Sequence, residues 1–173
     1  MLTVSYQAPA YTSASMYTYF REMTMNVKDL MTKNPVTCLP TAKLNEVAKL
    51  MDENDCGEIP VIRSKDKPEL VGVITDRDIC CRAVAQGKNP SSVAVSECMS
   101  SPVFTVTPDA DIAKTCKTFE EKEVRRLPVV DKSNHVVGIL SLADIAERAP
   151  EQYAKEILRH AGKASGATGA AAH

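Results

Sequence analysis

One stretch of this chain is written twice, and that repetition fixes the folding unit before any other feature is weighed. Thr37–Pro40 (TCLP) aligns with Thr105–Pro108 (TVTP) at an offset of 68 residues. The same offset carries Ala42, Leu44, Ala48, Met51 and Pro60 onto Ala110, Ile112, Cys116, Phe119 and Pro128. Beyond a polar turn (RSKDKPE against DKSNH) the offset falls to 66, and Gly72, Thr75, Asp78 and Ile79 lie over Gly138, Ser141, Asp144 and Ile145. A surface loop tolerates a two-residue difference, so the two copies share one structure.

Within each copy the periodicity is legible. A short strand (36–39; 103–106) ends at a proline, which interrupts strand pairing. A helix follows, with Leu44, Val47, Ala48 and Met51 on one face of the first and Ile112, Cys116 and Phe119 on that of the second. Two strands come next, 59–62 with 70–74 and 127–130 with 136–140, each pair joined by a polar turn. A second helix closes each copy. In the first it is expected over 76–86, stopped by Gly87, and in the second it starts near Leu142, with Pro150 separating it from a further helical stretch at 151–160.

The predicted fold class is therefore α/β in the loose, α+β sense: two strand-helix-strand-strand-helix units. A unit of about 50 residues is marginal alone, so the two are expected to pack together. The expected division is an N-terminal extension at 1–24, one repeat at 25–90, a second at 91–150, and a C-terminal helix and tail at 151–173. The extension is rich in Ser, Thr, Tyr and Met and the tail ends AGKASGATGAAAH, so both are expected to be flexible.

Composition narrows the function. Lys and Arg total 21 against 22 Asp and Glu, which gives no general attraction to nucleic acid or to an anionic membrane. Aromatic residues are 5% with no Trp, too few for base-stacking platforms. No apolar run is long enough to span a bilayer and no signal-peptide pattern opens the chain, so a cytoplasmic location is expected. The six cysteines include no Cys-x-x-Cys spacing and the three histidines have no partner at metal-ligand spacing, so the thiols are expected to be mostly buried and reduced. Cys80–Cys81 is the pair open to oxidation. Without a nucleophile-histidine arrangement, a metal set or a phosphate-cradling glycine loop, no enzyme is expected.

The repeated Gly-x-x-Thr/Ser-x-x-Asp admits two readings. In one, Thr75 and Ser141 are helix N-caps with Asp78 and Asp144 in the first turn, worth about 1 kcal/mol each. In the other, the hydroxyl and the helix N-terminus receive a phosphate, while the carboxylate holds ribose hydroxyls. Gly72 and Gly138, just upstream, allow a ligand or another backbone to approach closely.

At this point a family resemblance emerges. The block at 57–61 (GEIPV) with that at 70–79 (LVGVITDRDI), and the block at 124–130 (VRRLPVV) with that at 136–145 (VVGILSLADI), resemble a tandem pair of cystathionine beta-synthase (CBS) domains, the Bateman module. The lead-ins Asp29–Met31 (DLM) and Glu97–Met99 (ECM), each followed closely by Pro-Val, strengthen the likeness. The resemblance implies a pseudo-two-fold pair with two clefts that take adenosine-containing ligands such as AMP, ADP, ATP or S-adenosylmethionine, as regulatory ligands and not as required cofactors. Carried over by motif, Thr75 and Asp78 would serve one cleft and Ser141 and Asp144 the other. The segments at Thr37–Cys38, Thr105–Val106, Ile59–Pro60 and Leu127–Pro128 would wall the base, and Arg126, with Arg77 as a weaker candidate, would face phosphate. The copies differ in charge, since Gly57–Glu58 stands where the second copy has Arg125–Arg126, and Glu58 would repel a phosphate. The expected function is a sensor that reports occupancy to a partner protein. The alternative is a homodimeric interaction module using Ile79, Ala83 and Ile145 of the second helices.

Overall fold

The computed structural model describes residues 25–149. In chain order the elements are α1 (Val27–Leu30), β1 (Thr32–Lys33), α2 (Leu44–Glu53), β2 (Glu58–Ile62), β3 (Leu70–Thr75), α3 (Asp76–Arg82), α4 (Ile112–Lys122), β4 (Arg126–Val130), β5 (Val136–Ser141) and α5 (Leu142–Arg148). Short 3-10 turns lie at Val84–Gln86 and Val95–Glu97. The expected helix over 76–86 is thus α3 followed by one tightened turn, ended at Gly87 in the left-handed region (φ 68°) that glycine enters without strain.

The repeat is visible bond by bond. β2 pairs antiparallel with β3, setting Ile59 opposite Ile74, and β4 pairs with β5, setting Leu127 opposite Leu140. The strands expected at 36–39 and 103–106 shrink to single parallel bridges, Cys38 to Val61 and Val106 to Val129. Pro60 and Pro128 have no N–H to donate, so a longer ladder cannot form beside them. What remains is Cys38 N–H to Pro60 O at 3.1 Å and Ile62 N–H to Cys38 O at 2.9 Å, repeated at Val106, Pro128 and Val130.

Each copy's lead-in serves the other copy. β1 pairs with β5, placing Thr32 opposite Ile139, and Ser100 makes the equivalent pairing with Val73. Val27 and Leu30 accordingly sit in the core formed by Ile112, Phe119, Leu127, Leu140 and Ile145. Val95 and Cys98 sit in the core formed by Leu44, Val47, Ile59, Ile74 and Ile79. Further bonds repeat the exchange: Val27 N–H to Ala110 O matches Val95 N–H to Ala42 O, both 2.9 Å. The hairpin turns meet on the pseudo-two-fold axis, where Leu70 N–H reaches Asn134 O at 2.9 Å and Val136 N–H reaches Pro68 O at 3.0 Å.

Ile79, Ala83 and Ile145, expected to be free for dimerisation, are instead buried in these cores. α3 and α5 are so short that their single apolar stripe is consumed by packing on their own hairpins. The expected extension at 1–24, the stretch at 151–160 and the tail lie outside the described residues.

The glycines mark where the exchange passes. A Cβ on Gly72 would stand 2.8 Å from the carbonyl oxygen of Ser100, and one on Gly138 would stand 2.5 Å from the Met31 sulfur with the Thr32 carbonyl at 3.1 Å. Backbone cannot yield as a thioether can. Gly72→Ala is therefore expected to destabilise the protein by about 1–3 kcal/mol, and Gly138→Ala by less. Chemical-denaturation midpoints of the two variants decide this, and a larger loss at position 138 would count against it.

Candidate ligand-binding cleft

β3 runs directly into α3, and β5 into α5, so each Thr/Ser-x-x-Asp motif turns the corner between strand and helix. In the first, Thr75 Oγ accepts from the Asp78 N–H at 3.0 Å, while Asp78 Oδ2 accepts from the Thr75 N–H at 3.0 Å and from the Thr75 hydroxyl at 2.7 Å. Ser141 and Asp144 repeat all three bonds at 3.0, 2.9 and 2.6 Å. Both motifs are complete capping boxes with Asp in the acidic position.

That arrangement limits what the motif has left for a ligand. The Thr75 hydroxyl hydrogen is spent on Asp78, so its free capacity is one acceptor lone pair. Asp78 Oδ2 is filled by two donors, and Oδ1 faces Arg82 Nη2 at 3.3 Å. Arg82 Nη1 in turn donates to Cys98 O at 2.7 Å and to Ser100 Oγ at 3.1 Å, tying the acid to the crossing lead-in. Arg148 plays the same part in the other copy, 3.5 Å from Asp144 and donating to Leu30 O at 3.1 Å. Sequence reasoning did not find either arginine as a site residue, although both lie at the offset of 66 and four residues past their aspartates.

A cavity of about 320 Å³ opens beside the first motif, lined by Thr75, Asp78, Glu58 and Val73 of the first copy. The second copy contributes Arg126, Leu127, Pro128, Val103 and Phe104. Of the residues singled out in the sequence, Thr75, Asp78 and Arg126 are brought together here. Gly72 and Gly138 stand outside the lining, their open sides filled by Met99 and Ser100 and by Met31 and Thr32. Arg77 is exposed and also outside it. Ser141 and Asp144 belong to the equivalent corner of the other copy, where Ser141 is the register partner of Arg126. The apolar lining includes Leu127, Pro128, Val103 and Phe104, whereas Thr37–Cys38, Ile59–Pro60 and Thr105–Val106 stand outside it. The Phe104 ring, half exposed, also carries Lys122 Nζ at 5.0 Å from its centroid.

Glu58 is the unusual group. Its Oε1 is buried without a hydrogen-bond partner. Burial pushes its carboxyl up to about 7, opposed by the positive charge of Arg126 and assisted by the negative charge of Asp78. Among the thiols, Cys38, Cys98 and Cys116 are buried, Cys56 is half-buried, and Cys80 and Cys81 are exposed. Burial drives the Cys38 thiol up to about 12, which keeps it protonated and inert. Among the described residues no cluster of three metal-ligating side chains occurs, and no helix is long and apolar enough to cross a membrane.

An exchanged pair of α+β repeats with a small cleft between them defines the class of molecule, and sequence comparison gives the family. The CBS domain model matches residues 27–83 and 95–151, and the chain belongs to the CBS-domain family. It is 35% identical over 126 residues to the protein MK0525 of Methanopyrus kandleri, a match covering 73% of this chain and 63% of that relative. It is 37% identical over 121 residues to the CBS domain-containing protein YhcV of Bacillus subtilis, covering 70% of this chain and 83% of the relative. Among solved structures it resembles the CBS domain pair of protein MJ0100 in complex with 5′-methylthioadenosine and S-adenosyl-L-methionine. That match has a TM-score of 0.64 at 29% identity and covers 72% of this chain and 94% of the other.

The raised Glu58 pKa carries a stability consequence. An acid whose folded-state pKa exceeds its unfolded value contributes stability that is whole below the unfolded value, near 4.5 here, and lost as pH rises through about 7. Glu58→Gln is expected to remove this decline and to be more stable than the wild type at pH 8, by about 2–3 kcal/mol at most. Urea unfolding of both proteins across that range measures it, and parallel pH profiles would refute the assignment.

Proposed function

We propose that this protein is a ligand-responsive regulatory module that binds an adenosine-type small molecule in the cleft at Thr75, Asp78 and Arg126 and reports its occupancy to a partner protein. The observation that carries the reading is the cavity itself. Its volume of about 320 Å³ falls at the lower end of the range for small-molecule sites, about 300–1,000 Å³. Its lining joins apolar side chains suited to a flat base with two carboxylates and a guanidinium. The relative MJ0100 was crystallised with two adenosine derivatives, which supports the same class here.

In this reading the base lies between the Val103–Phe104 and Leu127–Pro128 walls, and a ribose hydroxyl donates to the remaining lone pair of Asp78 Oδ1. Arg126 meets the 5′ substituent. Ser141 and Asp144 form the equivalent corner of the second copy, where Arg126 is the register partner in place of Glu58. Gly72 and Gly138 act one step removed, by admitting the crossing segments that frame each corner, and Arg77 has no part in the first cleft.

The lining comes from both copies, so a ligand that bridges them favours one angle between the repeats over others. A ligand with differential affinity for two such arrangements shifts their populations. Arg82 connects the effect to the backbone, because it holds Asp78 and the Cys98 carbonyl of the crossing lead-in at once. Assembly as a homodimer belongs to the proposal. With Ile79, Ala83 and Ile145 buried, Val84, 55% exposed just past α3, and the half-exposed Phe104 are the large apolar side chains available to a second copy among the described residues.

A thermal-shift series with adenosine, AMP, ADP, ATP and S-adenosylmethionine tests the proposal. At least one of these is expected to raise the melting temperature, since a ligand at about 100 times its dissociation constant adds about 2.7 kcal/mol. Asp78→Asn, which keeps the side chain's size, is expected to abolish that shift. A flat response from well-folded wild-type protein, or a shift unchanged in Asp78→Asn, would overturn the reading.

A further inference from the structure

The cleft holds an acid where the equivalent position of the other copy holds a base. Glu58 opens β2 and Arg126 opens β4, and each is the register partner of its own copy's Thr75 or Ser141. Both nevertheless line the same cavity. Arg126 has no carboxylate within 4.0 Å among the described residues, so this is not a closed ion pair. Glu58 Oε1 is cut off from solvent and meets no donor. A buried polar atom left without a partner carries its desolvation penalty in full, and any ligand group that supplies a proton or a positive charge there relieves it.

The remaining polar inventory points the same way. Thr75 offers a lone pair and Asp78 Oδ1 offers a lone pair, because their other capacity is spent on each other and on Arg82. Asp76 adds a further negative charge in the first turn of α3. Arg126 is the one cationic side chain among the lining residues. A triphosphate entering here would meet one guanidinium and two carboxylates in the lining, with Asp76 just outside it, whereas a ligand bearing a cation or an N–H donor would meet acceptors.

We propose that Glu58 sets the ligand class of this cleft by receiving a cationic substituent, such as the sulfonium or ammonium of an adenosyl amino acid, and by turning away nucleoside polyphosphates. The inference rests on the adenosine reading above and extends it to the charge of the 5′ substituent. The charged groups that act on the Glu58 carboxyl are Arg126 from β4 and Asp78 from α3, while the half-buried Cys56, two residues before it, meets its backbone. Ionisation of Glu58 strengthens the preference and protonation weakens it, so selectivity changes with pH.

Isothermal titration of the full chain with S-adenosylmethionine, AMP and ATP tests this, using wild type, Glu58→Gln and Asp78→Asn at about pH 6 and about pH 8. Wild type is expected to favour S-adenosylmethionine over ATP by about tenfold or more at the higher pH, with a smaller ratio at the lower. Glu58→Gln is expected to reduce the ratio about tenfold and to make it independent of pH. The pH dependence of the wild-type ratio needs no substitution, so it stands even if the variant folds poorly. Binding lost in Asp78→Asn, but with a ratio that neither pH nor Glu58→Gln alters, overturns the role of Glu58 and leaves the adenosine reading intact. No binding of any of the three ligands to folded wild type overturns both.

Discussion

The structure depends on the reciprocal crossing of two short segments. Met31–Thr32 lies across Gly138 and Met99–Ser100 lies across Gly72, so each hairpin is completed by a strand from the other copy's lead-in. A hairpin and two helices of about 50 residues leave apolar faces uncovered, and the crossing covers them with Val27, Leu30, Val95 and Cys98. Neither copy is then an independent folding unit, although each contributes the larger part of one core. The bonds between the hairpin turns at Leu70 and Val136 close the arrangement on its axis.

The same crossing builds the cleft. Ser100 is followed by Val103 and Phe104, which form one wall, and the Ser100 hydroxyl accepts from the arginine that holds Asp78. Asp78 is thereby fastened to the crossing segment through Arg82, carboxylate to guanidinium and guanidinium to lead-in carbonyl. Exposed i,i+4 pairs contribute little to stability, so the value of Arg82 and Arg148 lies in holding an acid and a main-chain carbonyl in fixed relation. Their appearance in both copies with the same partners argues that the relation is part of the repeat's design and not an accident of one surface.

Much of the fold was legible because its signals are local. The apolar spacing of Leu44, Val47 and Met51 marks one face of α2, and the hydroxyl-x-x-Asp corners mark the N-caps of α3 and α5. The crossing was not legible, since β1 is two residues long and both are exposed, so it carries no periodicity to read. Ile79 and Ile145 were misassigned for a related reason: on helices of seven residues a single isoleucine does not show which side it packs on. Of the residues lining the cavity, Thr75 and Asp78 stand out in the sequence by repetition. Gly72 and Gly138 declared themselves equally strongly, but repetition does not distinguish a residue that admits a ligand from one that admits a neighbouring strand.

Repetition also hides the most consequential juxtaposition. An alignment of the two copies places Glu58 over Arg126, which reads as a substitution between equivalent sites. In a pair related by a two-fold axis, equivalent residues close to the axis are neighbours, so the two side chains enter one cavity with opposite signs. What looks like divergence between copies is complementarity within the pair. A cavity with Arg126 at both positions would concentrate positive charge suited to polyphosphate, while one with Glu58 at both would refuse it. The mixed pair leaves one cavity lined by a guanidinium and by an acid that burial pushes up to about 7.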